Sequence, residues 1–259
     1  MVALPCVRVR AEKAGGSGTV IYSRENEGGE FSTYVLTNHH VVDGCIKIED
    51  RWSALLRSER RLDVFQVVDV HIFDYRWESR AVGGSTVQSD IVAYDKEEDL
   101  ALLKLRGGRE VPSVAALYPR GAEKELMVGM PVIAVGAGLG EPPVQTQGAL
   151  SQFGREIDRR EFWLSSAPTI FGNSGGALFL ADTFELIGVP ARIAVAMLGF
   201  SADAITHLSY AIPITRIYSF LEAQRFRFIY DDAYTEQGEA DLRDELREDE
   251  ERKMAMASA

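Results

Sequence analysis

The sequence is poor in cysteine and has no long apolar run. Its only cysteines are Cys6 and Cys45, which argues against a disulfide-stapled secreted protein and favours two free thiols in a reducing compartment. A Cys6–Cys45 bridge remains the alternative. No segment is long and apolar enough to cross a membrane, and residues 1–10 lack the apolar core of a signal peptide. We therefore expect a cytoplasmic protein of prokaryotic or viral type, with no membrane partner.

An excess of positive charge is also missing. The net charge of −11 argues against nucleic acid or an anionic membrane as a partner. Residues 231–259 hold eleven acidic and four basic residues, a net of −7, so −11 minus −7 leaves −4 for the rest. A chain of 259 residues with 46% hydrophobic content can bury a sizeable core.

Short β-branched and apolar segments separated by turn residues predict an all-β chain. We predict an N-terminal barrel over 1–107 without a helix, a linker over 108–125, a C-terminal barrel with one helix over 126–227, and an acidic tail over 228–259. Expected strands lie at 15–23, 34–37, 46–48, 64–72, 91–94, 100–105, 130–136, 144–151, 162–166, 177–180, 186–189 and 208–212. Residues 76–89 are expected to form a polar loop, and the 3.6-residue period over 214–224 predicts the helix.

The tail has a helical spacing but little apolar content. Leu242 and Leu246 stand four residues apart within the charged segment 239–253. A solvated helix with pairs such as Glu239–Arg243 and a frayed or disordered tail are both open. A helix that docks a partner is a third alternative.

A serine flanked by glycines is typical of an exposed nucleophile, and the sequence has one in Gly172-Asn173-Ser174-Gly175-Gly176. Flanking glycines let a substrate approach Ser174 and permit backbone angles that point N–H groups into one hollow. Such a hollow stabilises the negative oxygen that forms when a serine attacks a carbonyl. A glycine-rich turn before a strand is the structural alternative.

Two further motifs precede this serine: Thr37-Asn38-His39-His40-Val41-Val42 and Asp99-Leu100-Ala101-Leu102-Leu103-Lys104. His, Asp and Ser in this order are one known arrangement of a catalytic triad. Together, the three motifs resemble the trypsin-like serine peptidases, and most closely the HtrA/DegP branch, from about Gly16 to Leu221. The resemblance implies a chymotrypsin-like fold of two six-stranded β-barrels with a C-terminal helix. The chain is too short for the PDZ domain usual in HtrA proteases.

The resemblance assigns a role to each motif. His40 is the general base, with His39 as the variable position beside it. Asp99 is the orienting carboxylate, in preference to Asp90 and Asp95, and Ser174 is the nucleophile. No cofactor and no metal are expected for this chemistry.

The same resemblance places the oxyanion hole at the backbone N–H groups of Gly172, Asn173 and Ser174. In trypsin an acidic residue precedes the serine and pairs with a freed N-terminus, whereas Asn173 stands here. Activation by N-terminal insertion is therefore not expected.

The resemblance also places the floor of the specificity pocket at Pro168, next to Thr169, and its opposite wall at Ser209 and Tyr210. No carboxylate is among them, so a small or medium apolar substrate residue is expected before the cleaved bond.

These observations predict a serine endopeptidase that cleaves a protein or peptide substrate. One alternative is a catalytically silent scaffold with the same barrels. Another is a protease that stays latent until a partner orders the loops 137–147 and 167–173. The tail, residues 231–259, is the segment through which we expect a regulatory partner or homo-oligomer contact.

Overall fold

The computed structural model describes residues 3–12, 15–26, 28–53, 58–77, 80–198 and 201–257. Its strands form two closed barrels of six strands each, and every neighbouring pair within a barrel is antiparallel. The predicted double six-stranded all-β fold is therefore confirmed.

The first half of the chain builds one barrel and a separate hairpin. Its strands are β1 (Cys6–Arg10), β2 (Gly15–Glu25), β3 (Phe31–Thr37), β4 (Ile46–Ser53), β5 (Ser58–Phe65), β6 (Val68–Arg76), β7 (Arg80–Asp95) and β8 (Leu100–Leu105). The barrel closes in the order β1-β2-β3-β8-β7-β6, while β4 and β5 pair only with each other. Strand β8 is buried on both faces: Ala101 and Leu103 fill the barrel interior, and Leu100 and Leu102 join the larger core of the second half. Its apolar run is continuous for that reason.

Three predictions for the first half are wrong in detail. Residues 76–89 are mostly strand β7 rather than a loop, and residues 80–89 of β7 pair with β6. Its exposed polar side chains and two glycines show no period-2 pattern, so backbone pairing alone forms this part. The strand expected over 64–72 is two strands, separated at Gln66, whose N–H donates to the Cys45 carbonyl at 2.8 Å. A four-residue helix, α1 (His39–Val42), follows β3 although no helix was expected.

The second half forms the other barrel. Its strands are β9 (Pro131–Gly136), β10 (Val144–Ile157), β11 (Arg160–Ser165), β12 (Ala177–Leu180), β13 (Leu186–Leu198) and β14 (Ser201–Pro213). They close in the order β10-β11-β14-β13-β12-β9. Strands β10, β13 and β14 are longer than the sequence predicts, because their outer parts continue to pair with neighbouring strands through the backbone.

A helix follows the second barrel, as predicted. Helix α2 (Ile214–Ala223) starts directly after Pro213 and buries Ile214, Ile217 and Leu221 along one face. This spacing of three and four residues is the period that predicted it. Arg216 on this helix bonds Glu98 of the first barrel at 2.5 Å, so α2 also ties the two halves together.

The acidic tail is a helix whose first turns are docked on the protein. Helix α3 (Glu236–Ala257) places Glu239 at 1% exposure against Arg227. Glu236 accepts hydrogen bonds from Tyr34 and Lys104, both at 2.6 Å. The alternative of a fully frayed tail is therefore wrong for these turns. This anchoring could not be predicted from the mostly charged sequence, because two carboxylates, one buried and one partly buried, make the contacts rather than an apolar stripe.

Candidate active site

The end of β3 and the start of β8 bring His40 and Asp99 together. His40 Nδ1 lies 2.9 Å from Asp99 Oδ2 and 3.0 Å from Oδ1, and the His40 backbone N–H donates to Oδ1 at 3.0 Å. An ionised carboxylate only accepts hydrogen bonds, so Nδ1 must carry the proton. The Nε2 atom is then an acceptor, which is the state that a general base requires.

The turn before β8 holds Asp99 for this contact. Asp99 has a φ of 54°, in the left-handed region where Asp is tolerated better than most residues. Asn38, two residues before His40, donates from its side-chain amide to the Asp99 carbonyl at 2.8 Å. The segment that contains Asn38 and His40 therefore contacts Asp99 at both its carboxylate and its backbone carbonyl.

The other two aspartates considered from the sequence have different partners. Asp90 pairs with Arg106 at 2.6 Å. Asp95 accepts from the backbone N–H groups of Glu97 and Glu98, at 2.7 and 2.9 Å. Of the three candidates, only Asp99 contacts the imidazole of His40.

The side chain of His39 packs against a different residue. Its ring stacks on Tyr94 with 5.3 Å between centroids, and partial burial lowers the pKa of His39 below its ordinary value. The structure thus separates the two adjacent histidines: one meets a carboxylate, and the other packs on an aromatic ring at the barrel edge.

The loop that carries Ser174 is packed against the first barrel. The Ser17 N–H donates to the Ser174 carbonyl at 2.8 Å. Gly175 has a φ of 83°, and a Cβ at this position would lie 2.3 Å from Thr37 Oγ1 and 3.0 Å from the Asn38 nitrogen. Only glycine fits so close an approach. Ser174 therefore lies beside the chain segment that leads directly into His40.

Ser174 Oγ makes one weak hydrogen bond, to the Ala191 carbonyl at 3.5 Å. In the described part of the chain, no hydrogen bond joins this oxygen to His40. Catalytic hydrogen bonds are often long or misaligned until substrate binds.

Two of the three backbone amides expected in the oxyanion hole have no hydrogen-bond acceptor in the described structure. Among the described residues, neither Gly172 N–H nor Ser174 N–H donates a hydrogen bond. The Phe171 carbonyl accepts from Leu139 N–H at 2.8 Å. Because a trans peptide points its C=O and N–H in opposite directions, this bond aims the Gly172 N–H away from Leu139. Asn173, predicted as part of the same group, instead donates its N–H to the Ile170 carbonyl at 3.1 Å.

Ser17 is a residue of this site that the sequence did not reveal. It is fully buried. Its Oγ donates to the Gly172 carbonyl at 2.6 Å and accepts from Ala137 N–H at 2.7 Å. The segment Gly15-Gly16-Ser17-Gly18 has the composition of a turn, and nothing in it indicates partners more than 100 residues away in the second barrel.

Comparison with known proteins places this arrangement in a family. A family model described as the trypsin-like peptidase domain matches residues 16–189. The chain belongs to the trypsin-like peptidase family.

Curated relatives of this trypsin-like peptidase domain include HtrA and DegP proteins. The "probable periplasmic serine endoprotease DegP-like" of Pseudomonas fluorescens is 28% identical over 211 residues, which cover 80% of this chain and 34% of the relative. The "putative serine protease HhoA" of Synechocystis is 31% identical over 214 residues, which cover 80% of this chain and 42% of the relative. The chain thus spans roughly a third to two fifths of the length of these relatives.

A solved structure has the same fold. The HtrA-type protease AlgW with a tripeptide matches with a TM-score of 0.59 and 20% identity, and the match covers 85% of this chain and 60% of that one. The resemblance to HtrA proteins inferred from the three motifs is confirmed at this level.

The expected pocket residues of the peptidase domain lie on two neighbouring segments. Thr169 N–H donates to the Thr206 carbonyl of β14 at 2.8 Å, and Ser209 and Tyr210 lie further along that strand. The Pro168 carbonyl accepts a hydrogen bond from Thr146 Oγ1 at 2.6 Å. Thr169 Oγ1 is buried without a hydrogen-bond partner in the described structure. That all four residues line one pocket stays a prediction.

Cys6 and Cys45 are both buried, and no disulfide joins them in the described structure. Burial raises the pKa of Cys6 to about 12, so this thiol is protonated at neutral pH. The described residues contain no group of three or more His, Cys, Asp or Glu that could hold a metal ion. Among them there is also no helix long and apolar enough to cross a membrane.

Proposed function

We propose that this chain is a serine endopeptidase that hydrolyses peptide bonds of protein substrates. The observation that carries the proposal is the His40–Asp99 pair, with Nδ1 2.9 Å from the carboxylate, next to a serine loop packed on the same segment. Family membership supports the reaction class. The assignment of Ser174, His40 and Asp99 to the triad is our own.

In this mechanism His40 Nε2 takes the proton of Ser174 as its Oγ attacks the substrate carbonyl. The carbonyl oxygen becomes negative and is bound by the N–H groups of Gly172 and Ser174. One such donor is worth about 3–4 kcal/mol of transition-state stabilisation. His40 then gives the proton to the leaving amine, and water repeats the sequence on the acyl-enzyme. Asp99 stabilises the imidazolium throughout.

The loop geometry supports Gly172 and Ser174 as the oxyanion donors. Asn173 is left out of this role, because its N–H is already bonded to Ile170. The pocket formed by Pro168, Thr169, Ser209 and Tyr210 has no carboxylate, so we expect cleavage after a small or medium apolar residue. Strong cleavage after Arg in a peptide library would contradict this specificity.

A protease assay with matched variants tests the proposal. The protein should degrade an unfolded protein substrate, and Ser174→Ala and His40→Ala should each remove this activity. Ser219→Ala is the control, because Ser219 Oγ bonds only the Thr215 carbonyl within helix α2. Equal activity of the Ser174→Ala variant and the unsubstituted protein would refute the mechanism. A folded protein without activity on any substrate would favour the silent scaffold.

The latent protease has one observation in its favour, the Ser174 Oγ that bonds Ala191 rather than His40. Under this alternative, a partner that orders the loops 137–147 and 167–173 switches on activity. Activity that is constant with and without added cell fractions would exclude it.

Partners and location are proposals of the same kind. A regulatory partner or a second copy would have to use the later turns of α3, where Leu246 is 47% and Met256 is 81% exposed, because the first turns already contact the barrels. A cytoplasmic location is still a prediction, and the DegP-like relatives are named periplasmic. Cell fractionation of the natural host decides between the two.

A further inference from the structure

A cavity of about 550 Å³ opens next to the proposed oxyanion hole. Gly172 forms one border, and Gly15 and Gly16 form another. Leu139 and Phe171 supply apolar walls. None of the four residues expected in the specificity pocket lines this space.

The cavity approaches Ser174 through Gly16 and Gly172, and none of those four residues lines it. Gly16 packs against the Ser174 carbonyl, 2.9 Å from where its Cβ would stand, whereas Thr169 is bonded to β14. With the residue before the cleaved bond near Thr169, the space beside Gly16 is left for the residues that follow that bond.

Two arginines give the cavity its charge. Val7 and Val9 of β1 point into the barrel, so Arg8 and Arg10 point outward by strand alternation, and both line the cavity. In the part of the chain that the structure describes, neither has an ion pair. Arg8 Nε is buried without a hydrogen-bond partner there, while its Nη1 holds the Gly140 carbonyl.

Nearby acidic groups do not neutralise these arginines. Glu12 also lines the cavity, but its carboxylate lies 3.3 Å from the side-chain nitrogen of Gln66 once that amide is turned to donate. Asp69 stands opposite Arg10 in the strand register and forms no described ion pair with it. Two guanidinium groups and one carboxylate line the cavity, so the net charge of its lining is positive.

We propose that this cavity is a subsite for a carboxylate on the substrate, within the first three residues after the cleaved bond. The inference rests on the proposed peptidase function and adds a substrate class to it. Arg8 and Arg10 recognise the carboxylate, because guanidinium donors pair well with planar oxyanions. The carboxylate can be a Glu or Asp side chain or the C-terminus of a short peptide.

Matched fluorogenic peptides test this subsite. They differ only in having Glu, Gln or Lys at the first, second or third position after the cleaved bond, and kcat/KM is measured for each. We expect Glu to exceed Gln by about 3- to 10-fold at one of these positions, with Lys lowest. The preference should shrink as salt is raised. A parallel set that ends at these positions, as free acid or as amide, distinguishes a terminal carboxylate from a side chain.

Charge variants connect the preference to the cavity. Arg8→Gln and Arg10→Gln should each lower the Glu-to-Gln ratio, and Glu12→Gln should raise it. Arg10 is exposed, so its variant serves if Arg8→Gln does not fold. The control is Arg252→Gln on helix α3, whose guanidinium pairs with Glu248; it should keep the ratio of the unsubstituted protein.

Two results would overturn the inference alone: Glu-to-Gln and acid-to-amide ratios below about twofold at all three positions, or a ratio that persists in both arginine variants. Loss of all peptide cleavage, with no labelling of Ser174 by a serine-directed reagent, would instead overturn the proposed function and this subsite with it.

Discussion

The contacts of Asp99 allow a catalytic role of this residue to be distinguished from a purely structural one. Its carboxylate receives both Nδ1 and the backbone N–H of His40, and its side chain is 16% exposed. A carboxylate that only stabilised the turn would tolerate an amide. A carboxylate that fixes the imidazole tautomer would not tolerate the amide, because the amide NH₂ can donate to Nδ1 and leave the proton on Nε2.

We therefore predict that Asp99→Asn lowers kcat by about 10³- to 10⁴-fold while the protein stays folded. Steady-state kinetics on one peptide, with circular dichroism to verify folding, measures this. The control is Asp90→Asn, which removes a carboxylate paired with Arg106 on the same strand pair. A loss of similar size in both variants would show that Asp99 has no special role.

Ser17 should act through Gly172 rather than on the substrate. Its Oγ joins the Gly172 carbonyl to Ala137 N–H, which fixes the peptide next to the oxyanion hole. We predict that Ser17→Ala lowers kcat about 10-fold or more, with KM changed little, because the donors serve the transition state. Ser23→Ala, which removes a hydroxyl on the same strand that bonds Thr33, is the control. A change confined to KM, or to stability, would contradict this positioning role.

At the scale of elements, one contact that anchors helix α3 is the ion pair between Glu239 and Arg227. Glu239 is 1% exposed and accepts from Arg227 Nη2 at 2.5 Å and from the Arg227 backbone N–H at 3.2 Å. Burial alone would raise the pKa of Glu239, but the hydrogen bonds and the charge of Arg227 outweigh burial and hold this pKa below its ordinary value.

The sign of the pH effect follows from that lowered pKa. In the unfolded chain the Glu239 carboxyl has a pKa of about 4.3, so its contribution to stability is complete above that pH and is lost as the pH falls towards the lower folded pKa. We predict that Glu239→Gln is less stable at pH 7 and loses less free energy of unfolding on acidification. Denaturant unfolding at several pH values measures both effects. Glu248→Gln, exposed on the same helix, should match the unsubstituted protein, and an identical pH slope in all three proteins would refute the prediction.

Elements with an apolar period were predictable, and those formed by backbone pairing or ion pairs were not. Strand β8 and helix α2 follow from their apolar residues, and the three motifs predicted His40, Asp99 and Ser174 as one site. Strand β7 carries exposed polar residues, so its pairing with β6 leaves no trace in the sequence. Ser17 joins segments far apart in the chain, and no local pattern encodes such contacts.

For the whole molecule, the loop that carries Ser174 is held by a neutral amide at the position before the serine. Asn173, at 3% exposure, accepts the Ile170 N–H through its side-chain oxygen at 3.3 Å. A neutral amide satisfied in this way needs no counter-ion, unlike the aspartate that pairs with a freed N-terminus in trypsin.

We therefore predict that the chain with Met1 intact is as active as one shortened at the N-terminus before β1. Intact mass before and after the assay, together with the rate of peptide cleavage, tests this. A protein that is inert until its N-terminus is clipped would contradict it.

In the proposed mechanism, Ser174 is made nucleophilic by His40 held against Asp99. Reaction with a fluorophosphonate, followed by mass spectrometry of the peptide that carries the adduct, tests this directly. We predict a single phosphonyl group on Ser174, absent from Ser174→Ala and formed far more slowly in His40→Ala. An adduct on another residue, or equal labelling rates in the His40→Ala variant and the unsubstituted protein, would contradict it.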